Sequence, residues 1–507
     1  MLYEVVRESE SEYKDRPTFQ VNNPATGEKL AELPIMTPED VAQAVSRARK
    51  AQVAWGDMPV SQRAKYLYAA RKIMLDNYER LVNTIVAENG KPRTEAQAEI
   101  AYIADMIGYY GKNAKKFLSD QKAPFHLLMN KKGLVTYHPY GVVGTITPWN
   151  YPLILGFGDA VTALLAGNAV IIKPSEITPL TVLLMAEFFE KAGFPKDVLQ
   201  ILTGLGDTGG ALIDEADAIA FTGSVPTGRK VMERAAKTLK PVLLELGGKD
   251  PMIVLQDADL KRAVNGAVIG GLFNAGQTCI SVEALYIEAP IFDQFVDLLV
   301  KEVQKLRVGQ ETGGETVDVG PLTMPRQLEI VERQIEDARD KGAKILTGGK
   351  RRTDLPGLFY EPTVITDVTD EMLLMQEETF GPVLPVIKVS SAEEAIRISN
   401  RSPFGLSSSI WTQDKARGLA LARKIEAGSS CVNDVLINYL ALELPLGGIK
   451  NSGIGYRHGG ADGIRHFCRT HSILIDRFGL KREFFWFPYN RRVEKLVGRG
   501  IKLLFRR

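Results

Sequence analysis

The chain has 507 residues, 45% hydrophobic and 24% charged, which is long enough for two or three domains with substantial cores and reads as globular. No stretch approaches eighteen uninterrupted apolar residues, which argues against a spanning helix, and Met1–Glu8 carries early acids in place of the basic start and apolar run of an export signal. Three cysteines, Cys279, Cys431 and Cys468, are too few and odd in number for a disulfide framework and fit a reducing cytoplasm.

Helical periodicity fills the N-terminal third, as at Thr37-Pro38-Glu39-Asp40, where Thr37 caps a helix that Pro38 begins. From about Tyr140 short apolar runs alternate with helices: 141–146, 169–173, 199–203, 218–221 and 242–245. A second series follows at 252–255, 284–287, 385–389 and 406–411. Such alternation predicts parallel sheets covered by helices. Lys173 and Glu176 follow a buried strand and so lie at its carboxyl end, where open α/β sheets bind ligands. Gly204-Leu205-Gly206-Asp207-Thr208-Gly209 fits G-x-G-x-x-G after a strand, but the acid expected about twenty residues later is replaced by Phe221-Thr222-Gly223-Ser224.

The net charge of +2 conceals an asymmetry. Residues 477–507 hold ten Lys or Arg and two acids, a net +8, leaving 53 bases and 59 acids, or −6, for the rest. From Arg491 the apolar residues Val493, Leu496, Val497, Ile501, Leu504 and Phe505 share one helical face, and Arg492, Lys495, Arg499, Lys502 and Arg506 take the others. Phe484-Phe485-Trp486-Phe487 precede this helix, and Gly498 and Gly500 weaken it. A basic amphipathic segment of this kind suits an anionic membrane surface; docking on a partner subunit is the alternative. Neither a nucleic-acid partner nor a metal is expected.

Cys279 ends Phe273-Asn274-Ala275-Gly276-Gln277-Thr278-Cys279, and Glu245 lies in Leu244-Glu245-Leu246-Gly247-Gly248-Lys249. A thiol can add to a carbonyl, and a separate carboxylate can activate water to release the adduct. With Thr147-Pro148-Trp149-Asn150, Lys173-Pro174-Ser175-Glu176, Phe221-Thr222-Gly223-Ser224 and Glu378-Thr379-Phe380-Gly381-Pro382, these segments closely resemble the aldehyde dehydrogenase superfamily, collinearly from Asn23 to about Gly459.

The resemblance implies two Rossmann-like α/β domains plus a small bridging β-element. The cofactor domain is expected at 1–120 and 140–248, the catalytic domain at 249–459, the bridging element at 121–139 and 460–476, and the tail at 477–507. The bridging hairpin implies a homodimer or a dimer of dimers. The implied catalytic set is Cys279 as nucleophile, Glu245 as base for hydrolysis and Asn150, with the Cys279 N–H, as oxyanion donors. Around the dinucleotide the resemblance places Trp149, Lys173, Ser175, Glu176, Gly204, Phe221, Gly223, Ser224, Leu246, Glu378 and Phe380. Glu176 would repel a 2′-phosphate, which favours NAD over NADP without excluding the latter.

Competing readings are a cysteine hydrolase, for which the five histidines show no suitable pattern with Cys279; a CoA-acylating relative, which would lack the carboxylate at Glu245; and a catalytically silent scaffold. Tyr151, Leu155, Phe273, Leu440 and Leu446 match the substrate funnel and are apolar or amphipathic. Succinate-semialdehyde branches tend to carry Arg where Phe273 stands, and Gly158 replaces a frequent aromatic. An apolar, long aldehyde is therefore expected over succinate semialdehyde, for which Lys115 or Lys116 would have to serve the distal carboxylate.

Overall fold

Thr37 starts the helix Pro38–Asp57 as its sequence predicts: its hydroxyl accepts the Asp40 N–H at 3.3 Å while Asp40 accepts the Thr37 N–H at 2.9 Å. The helices Val60–Asp76, Tyr78–Asn89 and Arg93–Phe117 complete this helical third. The computed structural model describes residues 16–311, 316–483 and 486–506. The segment 1–8 read for an export signal, and Phe484, Phe485 and Arg507 of the tail, lie outside the described residues. The chain divides into two units, one running up to Phe117 and over Pro139–Cys468, the other comprising Leu118–His138 and the residues from Arg469 onward.

Two large sheets and two two-stranded ones are described in the first unit. In the six-stranded one the order is Gly453–Ile454, Val242–Glu245, Ala218–Thr222, Val142–Ile146, Ala169–Lys173, Leu199–Ile201. The last five run parallel, and Gly453–Ile454 returns from far downstream to pair antiparallel with Val242–Glu245. Because Val142–Ile146 is followed by strands on one side and then, at Ala218–Thr222, on the other, the order reverses between these two, and the crevice at their carboxyl ends is where such sheets bind ligands. Ile146 lies opposite both Lys173 and Phe221, and Thr222 opposite Glu245, so Thr147–Asn150, Lys173–Glu176, Gly223–Ser224 and Glu245–Gly248 all emerge along one edge.

The seven-stranded sheet has the order Lys344–Thr347, Thr363–Thr366, Val383–Val389, Val282–Glu288, Asp250–Val254, Ser409–Trp411, Cys431–Val432. The strand expected at 406–411 starts only at Ser409, and that expected at 199–203 stops at Ile201. Lys344–Thr347, half-exposed at one edge, and the two-residue Cys431–Val432 at the other carry too little apolar pattern to be anticipated. The α/β class with its parallel sheets is as expected.

In the second unit Gln121–Ala123 and Lys131–Pro139 form the anticipated hairpin, with Gln121 opposite Val135, and Cys468–Asp476 extends it to three strands. Lys131 donates to Asp476 at 2.7 Å and to Glu483 at 3.0 Å. The tail helix runs Arg491–Phe505 straight through Gly498 and Gly500, with Asn490 accepting the N–H groups of Arg492 and Val493 at 3.0 Å. None of its residues is buried. Among the described residues, no helix is long and apolar enough to cross a membrane.

Candidate active site

Cys279 reaches the carboxyl edge of the six-stranded sheet from a loop that the backbone bends sharply. After the helix Leu260–Leu272, Asn274 and Ala275 both take left-handed conformations, with φ of 54° each, before Gly276 at 74°. A Cβ at Gly276 would collide with the Gly381 carbonyl, so only glycine fits there. Buried polar groups hold this bend: Glu95 accepts the Asn274 N–H at 2.9 Å, Gln277 Nε2 donates to the Asn274 carbonyl at 3.0 Å, and Gln277 Oε1 accepts the Thr323 N–H at 2.8 Å.

The loop is tied to the turn that carries Asn150. Asn150 Nδ2 donates to the Gln277 carbonyl at 2.9 Å, leaving its second hydrogen for another acceptor. Its own carbonyl accepts from Lys91 at 2.8 Å and from Asn274 Nδ2 at 2.9 Å. Lys91 in turn pairs with Glu99 at 2.6 Å, both side chains wholly buried, and Glu99 accepts the N–H groups of Leu153 and Ile154 at the start of the helix Pro152–Ala166.

Glu245 closes the site from its strand end. Gly248 passes so near the cysteine that a Cβ there would lie 2.6 Å from the Cys279 carbonyl oxygen, and the Gly223 N–H donates to the Glu245 carbonyl at 3.1 Å. Glu245 is 1% exposed, and neither carboxylate oxygen has a hydrogen bond of regular geometry. Burial pushes its pKa up, against the pull of the Arg457 guanidinium and the Cys279 thiol. Cys279 keeps partial exposure, but burial first and Glu245 second raise its thiol well above the usual range. Thiol and carboxyl therefore influence each other's ionisation although no regular hydrogen bond joins them.

Three residues near Glu245 escaped the sequence analysis. Arg457 Nη1 lies 3.8 Å from Glu245 Oε2 and donates to the Tyr439 hydroxyl at 3.2 Å, while Nη2 meets Asp159 at 3.1 Å and Thr222 at 2.8 Å. Asp159 had a legible signal, being the lone charge in the apolar helix Pro152–Ala166, where an acid needs a partner. Arg457 lies in the two-residue strand Arg457–His458 and Tyr439 in the single 3-10 turn Ile437–Tyr439, both too short to show periodicity.

The expected cofactor residues occupy the same edge. Lys173 Nζ is 3.5 Å from Glu176 Oε2 and otherwise desolvated, which lowers its pKa; Ser175 is buried and accepts the Ile177 N–H at 3.2 Å. Ser224 precedes the helix Val225–Ala236 without capping it by a side-chain hydrogen bond to a backbone N–H, its hydroxyl meeting Thr227 instead. Trp149 and Phe380 meet edge to face at 5.4 Å, and Glu378 accepts the Gly248 N–H at 2.9 Å, its pKa pushed up to about 8 by burial and then by Glu283. Leu246 packs on Gly228. Gly204 follows Leu199–Ile201, the strand paired with Ala169–Lys173, and its open conformation is needed because a Cβ would strike Thr208.

Of the expected funnel residues, Tyr151 and Phe273 stack at 6.3 Å, and the Tyr151 hydroxyl meets Thr278 Oγ1 at 2.6 Å, next to the cysteine. Leu155 and Leu446 are buried and Leu440 is half exposed. A Cβ at Gly158 would find only Met106 Sδ, at 4.0 Å. Lys115 and Lys116 are exposed on the helix Arg93–Phe117.

This arrangement agrees with comparisons to known proteins. Residues 11–473 match the aldehyde dehydrogenase family. The chain is 42% identical to a 4,4'-diapolycopene aldehyde oxidase of Methylomonas sp, over 93% of this chain and 88% of that one. It is 39% identical to a protein of Mycolicibacterium smegmatis named for NADP-dependent succinate-semialdehyde oxidation, over 89% and 87%. Among solved structures, a betaine aldehyde dehydrogenase point mutant of Staphylococcus aureus in complex with NAD+ superposes with a TM-score of 0.86 at 33% identity, over 92% and 95%. With its family matched over nearly its whole length and its thiol and carboxyl brought together at one sheet edge, the chain belongs to the aldehyde dehydrogenase family.

Proposed function

We propose that the protein oxidises an apolar, long-chain aldehyde to its carboxylic acid with NAD, using Cys279 as nucleophile and Glu245 as the base of the second half-reaction. The observation that carries this is the buried Glu245 carboxyl, free of regular hydrogen bonds, facing the Cys279 thiol. The six-stranded sheet would serve the dinucleotide and the seven-stranded sheet would present the cysteine loop.

The residues at the first sheet's edge fit such a dinucleotide. Lys173 offers a desolvated ammonium with one long contact, Glu176 a carboxylate for ribose hydroxyls that disfavours a 2′-phosphate, and the start of Val225–Ala236 offers backbone N–H groups for a pyrophosphate. Trp149, Phe380 and Glu378 would hold the nicotinamide end. When bound, the nicotinamide supplies the hydride acceptor of the oxidation. The chain's own residues do the rest: Cys279 sulfur bonds to the aldehyde carbon after losing its proton, and Asn150 Nδ2 with the Cys279 N–H holds the resulting oxyanion. Once the adduct is a thioester, Glu245 takes a proton from water, the new C–O bond forms, the C–S bond breaks and the acid leaves.

Phe273 stacked on Tyr151, and the open space at Gly158, suit an apolar substrate. Lys91, which lies 3.8 Å from the Tyr151 ring centre, is committed to Glu99 and would not serve a substrate carboxylate. The diapolycopene aldehyde oxidase name of the Methylomonas relative points the same way.

The three-stranded sheet ends in Cys468–Asp476, an exposed edge that suits pairing with a second copy. The tail helix carries Leu496, Ile501, Leu504 and Phe505 exposed, with Trp486 and Phe487 exposed before it and basic residues around it. This supports peripheral attachment of a cytoplasmic enzyme to an anionic membrane surface, where long-chain aldehydes partition.

Three measurements test these readings. Cys279→Ser should cut NADH production about a thousandfold or more while NAD binding persists, and Glu245→Gln should give one NADH per active site and then stall; near-normal turnover in the first, or no burst in the second, would refute the assigned roles. Along a series of straight alkanals kcat/KM should rise about fourfold per added methylene, at ~0.8 kcal/mol each, and Gly158→Phe should flatten that rise. Preference for succinate semialdehyde over butanal would overturn the apolar reading. In a flotation assay with vesicles containing an anionic phospholipid, the intact enzyme should float in a salt-sensitive manner and a variant ending at Asp476 should not, with its oligomeric state unchanged. Failure of the full chain to float, or loss of assembly on deletion, would assign the tail to the partner subunit instead.

A further inference from the structure

Glu245 lies where a carboxylate is costly. Beyond its burial, the groups near enough to act on its charge are Cys279, Asp159, Asp250, Glu378 and Tyr439, each neutral or acidic, and Arg457, the cation among them, at 3.8 Å. The fold delivers this arginine through the same segment that seals the Glu245 strand: Gly453 pairs with Glu245, and Arg457–His458 then folds back on Pro445–Leu446.

The guanidinium is fixed by what it touches. Nη2 is loaded with Asp159 and Thr222, which leaves Nη1 directed to the Tyr439 hydroxyl and to Glu245 Oε2. Nε is buried without a hydrogen bond, so the side chain bears a cost that its contacts at the fork must offset. Asp159 and Glu245 share one positive charge from opposite ends of a rigid planar group.

We propose that Arg457 is a positioning residue for thioester hydrolysis, the counter-charge that keeps the Glu245 carboxylate in its proton-accepting form beside Cys279, with Asp159 setting how much of that charge Glu245 receives. The step it serves is the one in which Glu245 takes a proton from water, the water oxygen bonds to the acyl carbon, and the Cys279 sulfur leaves. The proposal rests on the Cys279 and Glu245 roles given above. Since burial works against the ionised acid, removing the nearest cation should move the hydrolytic step to higher pH, and relieving that cation of its other partner should move it lower.

The test uses 4-nitrophenyl acetate with no nucleotide present. The initial burst of 4-nitrophenolate reports acylation of Cys279, and the steady phase reports hydrolysis of the thioester. Arg457→Gln should keep a burst of one per active site, slow the steady phase at neutral pH by tenfold or more, and move its acid limb up by about one to two pH units. Arg457→Lys should recover part of that loss. Asp159→Asn should move the limb the other way, to lower pH. A purely structural role predicts loss of burst and steady phase together with the limb unmoved, and that result overturns the proposal. If Arg457→Gln does not fold, an unmoved or raised limb in Asp159→Asn overturns it alone. A wild-type enzyme without a burst, or a burst that survives Cys279→Ser, would instead bring down the underlying cysteine reading, and this proposal with it.

Discussion

A carboxylate buried at the end of one strand, beside a partly exposed thiol, sets the terms for the rest of this structure. Taking a carboxylate out of water costs several kcal/mol even after relaxation, and no regular hydrogen bond to either Glu245 oxygen offsets it. The compensation comes from Arg457 at 3.8 Å, and Arg457 in turn needs Asp159, Thr222 and Tyr439. Each member of this set comes from a different segment, which explains why the returning strand Gly453–Ile454 must close the edge of the first sheet before the site is complete.

A second set of buried charges holds the turn that carries Asn150. Lys91 and Glu99 form a pair that links the Asn150 carbonyl to the start of the helix Pro152–Ala166, so that Asn150, the helix bearing Asp159 and the cysteine loop share one anchor. Removing one partner of such a pair strands the other, at about 3–5 kcal/mol. Glu88 plays a similar part at the helix Leu180–Lys191, accepting the N–H groups of Leu180 and Thr181, and burial pushes its pKa up to about 8. Glu95, which restrains the left-handed Asn274, is pushed to about the same value by burial. Backbone strain at Asn274 is thus held in part by the buried Glu95 carboxyl.

Much of this was legible in the sequence, for reasons that differ by residue. The alternation of short apolar runs with helices placed the parallel strands to within a few residues, because strands buried on both faces must be apolar throughout. Cys279, Glu245 and Asn150 stand in segments whose resemblance to one family is specific, and the structure gathers all three segments around one site. Arg457 was not legible, because its value lies in partners at positions 159, 222, 245 and 439, and no local pattern encodes such a meeting. Gly204 stands in a familiar glycine pattern, and its open conformation is required by the Thr208 side chain four residues on. The edge strands Lys344–Thr347 and Cys431–Val432 were missed because exposure and shortness remove the alternation that marks a strand.

The claim on which everything else depends is that Cys279 and Glu245 share one desolvated site and control each other's protonation. It is tested most directly by the rate at which iodoacetamide alkylates Cys279, followed by peptide mass as a function of pH. Burial and the facing carboxylate hold the thiol in its protonated form, so the rate should keep climbing beyond about pH 9, past the ~8.5 of an ordinary thiol, and Glu245→Gln should bring the plateau to lower pH. A plateau reached by about pH 8 in the wild-type enzyme, unmoved in Glu245→Gln, would contradict the account.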